Sequence, residues 1–129
     1  MAIGLSDLKV LVVDDNKGAR NLMKRVLGGM GVNQIYMSEN GQVALKFLDD
    51  APEFVDLIVC DWRMPRMTGL EFLQQVRSVY PNMPFMMVTG KSDMSSVKTA
   101  RESGVNAYIV KPYSPQQLER NLLRLIGTL

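Results

Sequence analysis

The chain has 129 residues, of which 47% are hydrophobic and 22% charged, enough for a globular domain that buries a core without disulfides or a structural metal. Fifteen Lys and Arg against 13 Asp and Glu leave a net charge of +2, too small for a general nucleic-acid binder. Histidine is absent, which excludes Ser–His and Cys–His triads, imidazole zinc sites and a phosphohistidine on this chain.

No apolar run approaches the ~20 residues that span a bilayer, and Met1 to Asp7 lacks the basic start and apolar stretch of a signal peptide. The single cysteine, Cys60, excludes an internal disulfide and fits a reducing cytoplasm. Lys9 to Val13 is a short β-branched run that predicts a buried strand. Asn16 then caps a helix with Ala19, Leu22, Met23, Val26 and Leu27 at core-facing spacing, stopped by Gly28, Gly29 and Gly31. A second strand is predicted over Gln34 to Ser38. A second helix opens at Asn40, carries Val43, Ala44, Phe47 and Leu48 on one face, and ends near Pro52.

Leu57 to Cys60 predicts a third buried strand running into Asp61, followed by a loop from Trp62 to Gly69 and a helix over Leu70 to Val79. Pro84 to Val88 is the fourth strand, and Ser92 caps a helix reaching about Ser103 and stopped by Gly104. Ala107 to Val110 is the fifth strand. Ser114 or Pro115 opens a last helix with Leu118, Leu122, Leu125 and Ile126 inward. Five strand–helix alternations with short, continuously apolar strands predict one α/β domain over residues 1–129, a doubly wound parallel sheet covered on both faces.

Sites in such sheets form beyond the carboxyl ends of the strands. Here strand one ends in Asp14 and Asp15, strand three in Asp61, strand four in Thr89 and strand five in Lys111. A single acid after a strand is ordinarily a solvated loop residue or a helix cap; three acids, an amine and a hydroxyl on one rim are harder to assign to chance. Clustered carboxylates repel unless a cation neutralises them, and hard oxygen donors suit Mg²⁺. The set is that of a phosphoryl-transfer site, in which a carboxylate attacks phosphorus while a metal and a lysine offset charge.

Val12-Val13-Asp14-Asp15, Asp61-Trp62-Arg63-Met64-Pro65, Val88-Thr89-Gly90 and Tyr108-Ile109-Val110-Lys111-Pro112 resemble the motifs of the response-regulator receiver family, of the single-domain, CheY-like type, over essentially the whole chain. The resemblance implies a flavodoxin-like fold with strand order 2-1-3-4-5 and five helices. It implies that Asp61 accepts phosphate from the phosphohistidine of a sensor histidine kinase. Mg²⁺ would be held by Asp14, Asp15, Asp61 and the Arg63 backbone carbonyl, with Lys111 on the phosphoryl group. Thr89 would engage that group as the ring of Tyr108 turns inward, and the Lys111–Pro112 bond would be cis. The absence of histidine agrees, since the phosphate donor must then be another molecule.

At Arg63 and Lys91, receivers of this type commonly carry a polar amide and an acid. Two cations there either crowd the hydrolytic water and prolong the phosphorylated state, or simply point to solvent. Tyr108 is either a switch residue or a surface ring, and Trp62 either packs on its loop or offers a binding surface. Cys60 is expected in the core. Met23, Met86 and Met87 are expected in packing, while Met64, Met67, Met83 and Met94 fall where an adaptable partner surface is also conceivable.

Lys98, Arg101, Arg120 and Arg124 tint the last two helices basic, and with the fifth strand they form the candidate output face toward a target or a histidine phosphotransfer protein. Met1-Ala2-Ile3 reads as a native start, and only Gly127 to Leu129 follow the last helix. The expectation is therefore a stand-alone cytoplasmic regulator, monomeric or weakly dimeric, without direct nucleic-acid or membrane binding and without turnover of outside substrates. A receiver cut from a longer regulator or hybrid kinase is the alternative. A flavodoxin-type electron carrier is disfavoured because Asp14 and Asp15 would repel an FMN phosphate. A metal-dependent phosphohydrolase lacks a second acid beside Asp61, which is followed by Trp62 and Arg63.

Overall fold

Five parallel strands, β1 (Lys9–Val13), β2 (Gln34–Ser38), β3 (Leu57–Cys60), β4 (Phe85–Thr89) and β5 (Ala107–Val110), pair in the order β2-β1-β3-β4-β5. Five α-helices alternate with them: α1 (Lys17–Gly29), α2 (Gly41–Asp50), α3 (Gly69–Val79), α4 (Met94–Glu102) and α5 (Pro115–Ile126). This is a computed structural model describing residues 4–129; the reading of Met1-Ala2-Ile3 as a start lies outside those residues.

Period-two alternation within the strands sorts the core into two layers. Val10, Val12, Val59, Val88 and Ile109 pack against Met23 and Leu27 of α1 and Leu118 and Leu122 of α5. On the opposite face, Leu11, Val13, Ile58, Phe85 and Met87 meet Ala44 and Leu48 of α2 and Phe72, Leu73 and Val76 of α3. Burial on both faces is why the strands carry no polar alternation.

The helix starts follow local chemistry. Asn16 and Asn40 accept from the N–H groups of Ala19 and Val43, while Thr68 with Glu71, and Ser114 with Gln117, close reciprocal capping boxes. Arg77 donates to the carbonyls of Gly104 and Tyr80 and to Asn106 Oδ1, clamping the end of α3 to the turn before β5.

Several expectations shift. α1 continues through Gly28 and Gly29, and the reversal falls at Gly31, whose φ of 104° an L side chain resists. β4 starts at Phe85 and includes Thr89, because Pro84 has no N–H for the ladder while Thr89 pairs with Val110. The cap of α4 is Asp93, not Ser92: its carboxylate accepts from the Ser96 N–H and from the hydroxyls of Ser95 and Ser96. α3 opens at Gly69, one residue early, because Thr68 holds the cap.

Leu22 and Val43 stand 46% and 47% exposed, since each lies about 100° round its helix from the buried neighbour that faces the sheet. Met64 is buried in the layer under α2 and α3 and offers no partner surface, whereas Met94 is exposed and Met67 and Met83 are half-buried. Met23, Met86, Met87 and Cys60 are core residues, and burial pushes the Cys60 thiol well up. Short 3-10 turns at Leu5–Asp7 and Pro52–Phe54 were not expected from the sequence pattern.

Candidate functional site

Parallel register brings the strand ends to one edge, and backbone hydrogen bonds hold the residues just beyond them. The Asp61 N–H donates to the Val13 carbonyl at 3.1 Å, Asp14 N–H to Ser38 at 3.2 Å, and Lys111 N–H to Thr89 at 2.8 Å. Asp14, Asp15 and Asp61 therefore each present a carboxylate oxygen within 4.8 Å of the others. Lys111 Nζ lies 3.7 Å from Asp14 Oδ2 and 3.7 Å from Asp61 Oδ2. Three carboxylates against one ammonium leave an excess of negative charge, and an all-oxygen donor set with part of its rim open to water fits a hard divalent cation such as Mg²⁺.

Asp14 is the buried member of the cluster. Loss of water raises its pKa from 3.8; the Asn16 N–H, 2.9 Å from Oδ1, opposes this, Asp61 adds to it, and Lys111 counters it. Arg20 Nη1 donates to the Asp14 carbonyl at 2.7 Å, tying α1 to the end of β1. Neither Arg20 nor its contact is legible in the linear motifs.

The loop after β3 is held from both ends. The Trp62 N–H donates to Asp61 Oδ1 at 2.7 Å, and the Gly69 N–H donates to the Trp62 carbonyl at 2.7 Å. A Cβ on Gly69 would collide with the Asp61 carbonyl oxygen, so Gly69 is what lets α3 start against the acceptor loop. In the sequence Gly69 reads only as a loop residue. Arg66, with φ 69°, takes the left-handed conformation that lets this loop fold back. Arg63 is exposed, and among the described residues nothing donates to its carbonyl.

Thr89 is fully buried, and its Oγ1 accepts from the Lys91 N–H at 3.3 Å. The Tyr108 hydroxyl donates to the Lys91 carbonyl at 2.7 Å, and its half-buried ring meets Trp62 edge-on at 6.5 Å between centroids. Trp62 thus packs over its own loop and against Tyr108. The Lys91 ammonium lies over the Trp62 ring rather than against a carboxylate. The Lys111–Pro112 peptide is cis. Asp14, Asp15, Asp61, Thr89, Tyr108, Lys91 and Lys111 accordingly converge on one rim, while Arg63 is exposed in the loop after Asp61.

Residues 10–123 match the family model described as the response regulator receiver domain. A chemotaxis protein CheY homolog of Campylobacter jejuni is 40% identical over 123 residues, 94% of each chain. The structure of Vibrio cholerae chemotaxis protein CheY4 is similar with a TM-score of 0.82 at 32% identity, covering 92% of this chain and 98% of that one. The CheX–CheY–BeF3–Mg²⁺ complex of Borrelia burgdorferi shares the fold, with a TM-score of 0.87 at 22% identity over 92% of this chain and 89% of that one. Agreement of that extent, in strand order as in sequence, makes this chain a member of the response regulator receiver family, a CheY-like receiver of two-component signalling.

Proposed function

We propose that the chain is a phosphorylatable switch in which Asp61 takes a phosphoryl group from the phosphohistidine of a sensor histidine kinase. The observation that carries this is the placement of the Asp61 carboxylate, with Oδ1 on the Trp62 N–H and Oδ2 facing Lys111, among two further acids. An Asp61 carboxylate oxygen attacks phosphorus; the P–N bond to the donor imidazole breaks as the new P–O bond forms, leaving an acyl phosphate here and a free imidazole on the donor.

When bound, Mg²⁺ on Asp14, Asp15, Asp61 and the Arg63 carbonyl supplies charge neutralisation for the carboxylates and the phosphoryl oxygens. Lys111, already shared between Asp14 and Asp61, pairs with a phosphoryl oxygen. The Thr89 oxygen accepts from Lys91 and keeps its own O–H to donate to that group. Because Lys91 also carries the Tyr108 contact, a shift of Thr89 reaches Tyr108 through one backbone segment. The new anion then favours the conformer in which Thr89 and Lys111 engage it.

The readout face is α4, β5 and α5, where Lys98, Arg101, Arg120, Arg124 and Met94 are exposed. A target protein or a histidine phosphotransfer protein docking there fits the family, and the names of the relatives favour chemotaxis as the process. The protein works as a regulator rather than turning over outside substrates. Among the described residues no helix is long and apolar enough to cross a membrane.

The test uses Trp62, the only tryptophan and the neighbour of Asp61. A saturable fluorescence change on adding beryllofluoride, dependent on Mg²⁺ and absent from Asp61→Asn, is expected. No binding by fluorescence or calorimetry would overturn the phosphoacceptor reading.

A further inference from the structure

Between α1 and the segment joining β5 to α5 lies a cavity of about 560 Å³. Its floor is the sheet itself, at Val12, Val59 and Val88. One wall is α1 from Ala19 to Val26, eight residues spanning about 10 Å of helix axis from first to last. The other wall is Pro112, Tyr113 and Pro115, and the upper end meets Asp14, Asp61 and Lys111. The space is open to solvent along Leu22, Pro112 and Pro115, and its volume falls in the range of about 300 to 1,000 Å³ common for small-molecule sites.

The residues explain the space. Apart from Cys60 the strands contribute only valines to the lining, Ala19 is short, and Leu22 lines the mouth, 46% exposed, without closing it. One polar atom on the wall lacks a good partner: the Tyr113 hydroxyl reaches across to Met23 Sδ at 3.9 Å, and a thioether is a weak acceptor. Burial and the nearby Asp14 charge push that phenol above its ordinary value of 10, so it remains protonated and donating.

We propose that this cavity binds a small, neutral, largely apolar molecule carrying one carbonyl or hydroxyl oxygen, which accepts the Tyr113 hydrogen bond while its apolar body lies along α1. Charge at the rim selects neutrality: Asp14 and Asp61, offset only in part by Lys111, repel an anion, and a cation is drawn to the carboxylates instead of into the cavity. Because Asp14, Asp61 and Lys111 form the upper rim, occupancy and the acidic site bias one another, and the coupling is reciprocal. The site stands independently of whether Asp61 is phosphorylated.

The experiment titrates the metal-free protein with acetophenone and with its oxygen-free analogue ethylbenzene, following amide and valine-methyl resonances. Saturable shifts at Val12, Val59, Val88 and Tyr113 are expected, with acetophenone bound about fivefold tighter for the one added hydrogen bond. Tyr113→Phe removes that difference. Val26→Phe, at the end away from Asp14, abolishes binding of both while the Trp62 response to Mg²⁺ and beryllofluoride persists; Ala19→Leu does the same if Val26→Phe proves misfolded. Absence of saturable shifts at millimolar probe, or unchanged binding in the folded filled variants, overturns the proposal. Equal affinities for the two probes in the wild-type chain overturn the role of Tyr113.

Discussion

The Lys91 ammonium lies 5.3 Å from the centroid of the Trp62 ring, joining the segment that follows Thr89 to the residue next to Asp61. The same residue gives its N–H to Thr89 and its carbonyl to Tyr108, so three parts of the rim meet at one position. A cation over an indole contributes on the order of 0.5–1 kcal/mol when exposed and more when desolvated. Lys91→Gln is expected to shift Trp62 emission and to lower stability by about 0.5 kcal/mol in urea unfolding followed by circular dichroism. Unaltered emission and stability would show that the contact does not persist in solution.

Arg63 is exposed two residues after Asp61, and Lys91 lies over the ring of Trp62, the residue next to Asp61. We propose that together they crowd the water that would hydrolyse an acyl phosphate. The double variant Arg63→Asn with Lys91→Glu is expected to shorten the phosphorylated lifetime several-fold, read as phosphate release after loading with a small acyl phosphate. An unchanged release rate sinks this idea.

Gly69 is the position where α3 touches the acceptor loop, and no side chain fits there. Gly69→Ala must push the Asp61–Trp62 backbone away, at a cost of about 1–3 kcal/mol typical of overpacking. Chemical denaturation should show that loss, and the Mg²⁺ response of Trp62 should weaken with it. A variant with wild-type stability would mean the loop yields freely.

Burial raises the Asp14 pKa above 3.8, so the charged form weighs against folding once pH exceeds the folded value, and the penalty vanishes below 3.8. Asp14→Asn keeps an acceptor for the Asn16 N–H and removes the buried charge. In metal-free protein at neutral pH it is expected to add about 1 kcal/mol of stability, a gain that fades as the solution is acidified, while Mg²⁺ binding falls. A destabilised variant at neutral pH would show that the Lys111 pairing outweighs desolvation.

Asp93 runs in the opposite sense. Hydrogen bonds from Ser95 and Ser96 hold its pKa well below 3.8, so the cap of α4 is in force above 3.8 and is lost only as pH falls through the depressed value. The protection factor of the Ser96 amide should stay high to below the ordinary aspartate range and be reduced in Asp93→Ala throughout. Loss of protection already around pH 5 in the wild-type chain would contradict this.

Apolar runs and cap residues are local signals, so the five strands, the five helices and the strand ends bearing Asp14, Asp61, Thr89 and Lys111 are legible from the chain alone. The errors at α1, α3, α4 and β4 amount to one or two residues, because a cap can be claimed by whichever neighbouring polar side chain reaches the free N–H groups. Contacts across sequence distance are another matter. That Lys91 closes over Trp62, that Gly69 abuts the Asp61 carbonyl, that Arg20 supports β1 and that Met64 is buried all depend on loops meeting in space. The cavity beside Tyr113 is likewise a property of packing: apart from Tyr113 and the rim residues Asp14, Asp61 and Lys111, the residues around it read as ordinary apolar ones, and only the approach of α1 to the β5–α5 segment decides whether the space between them is filled.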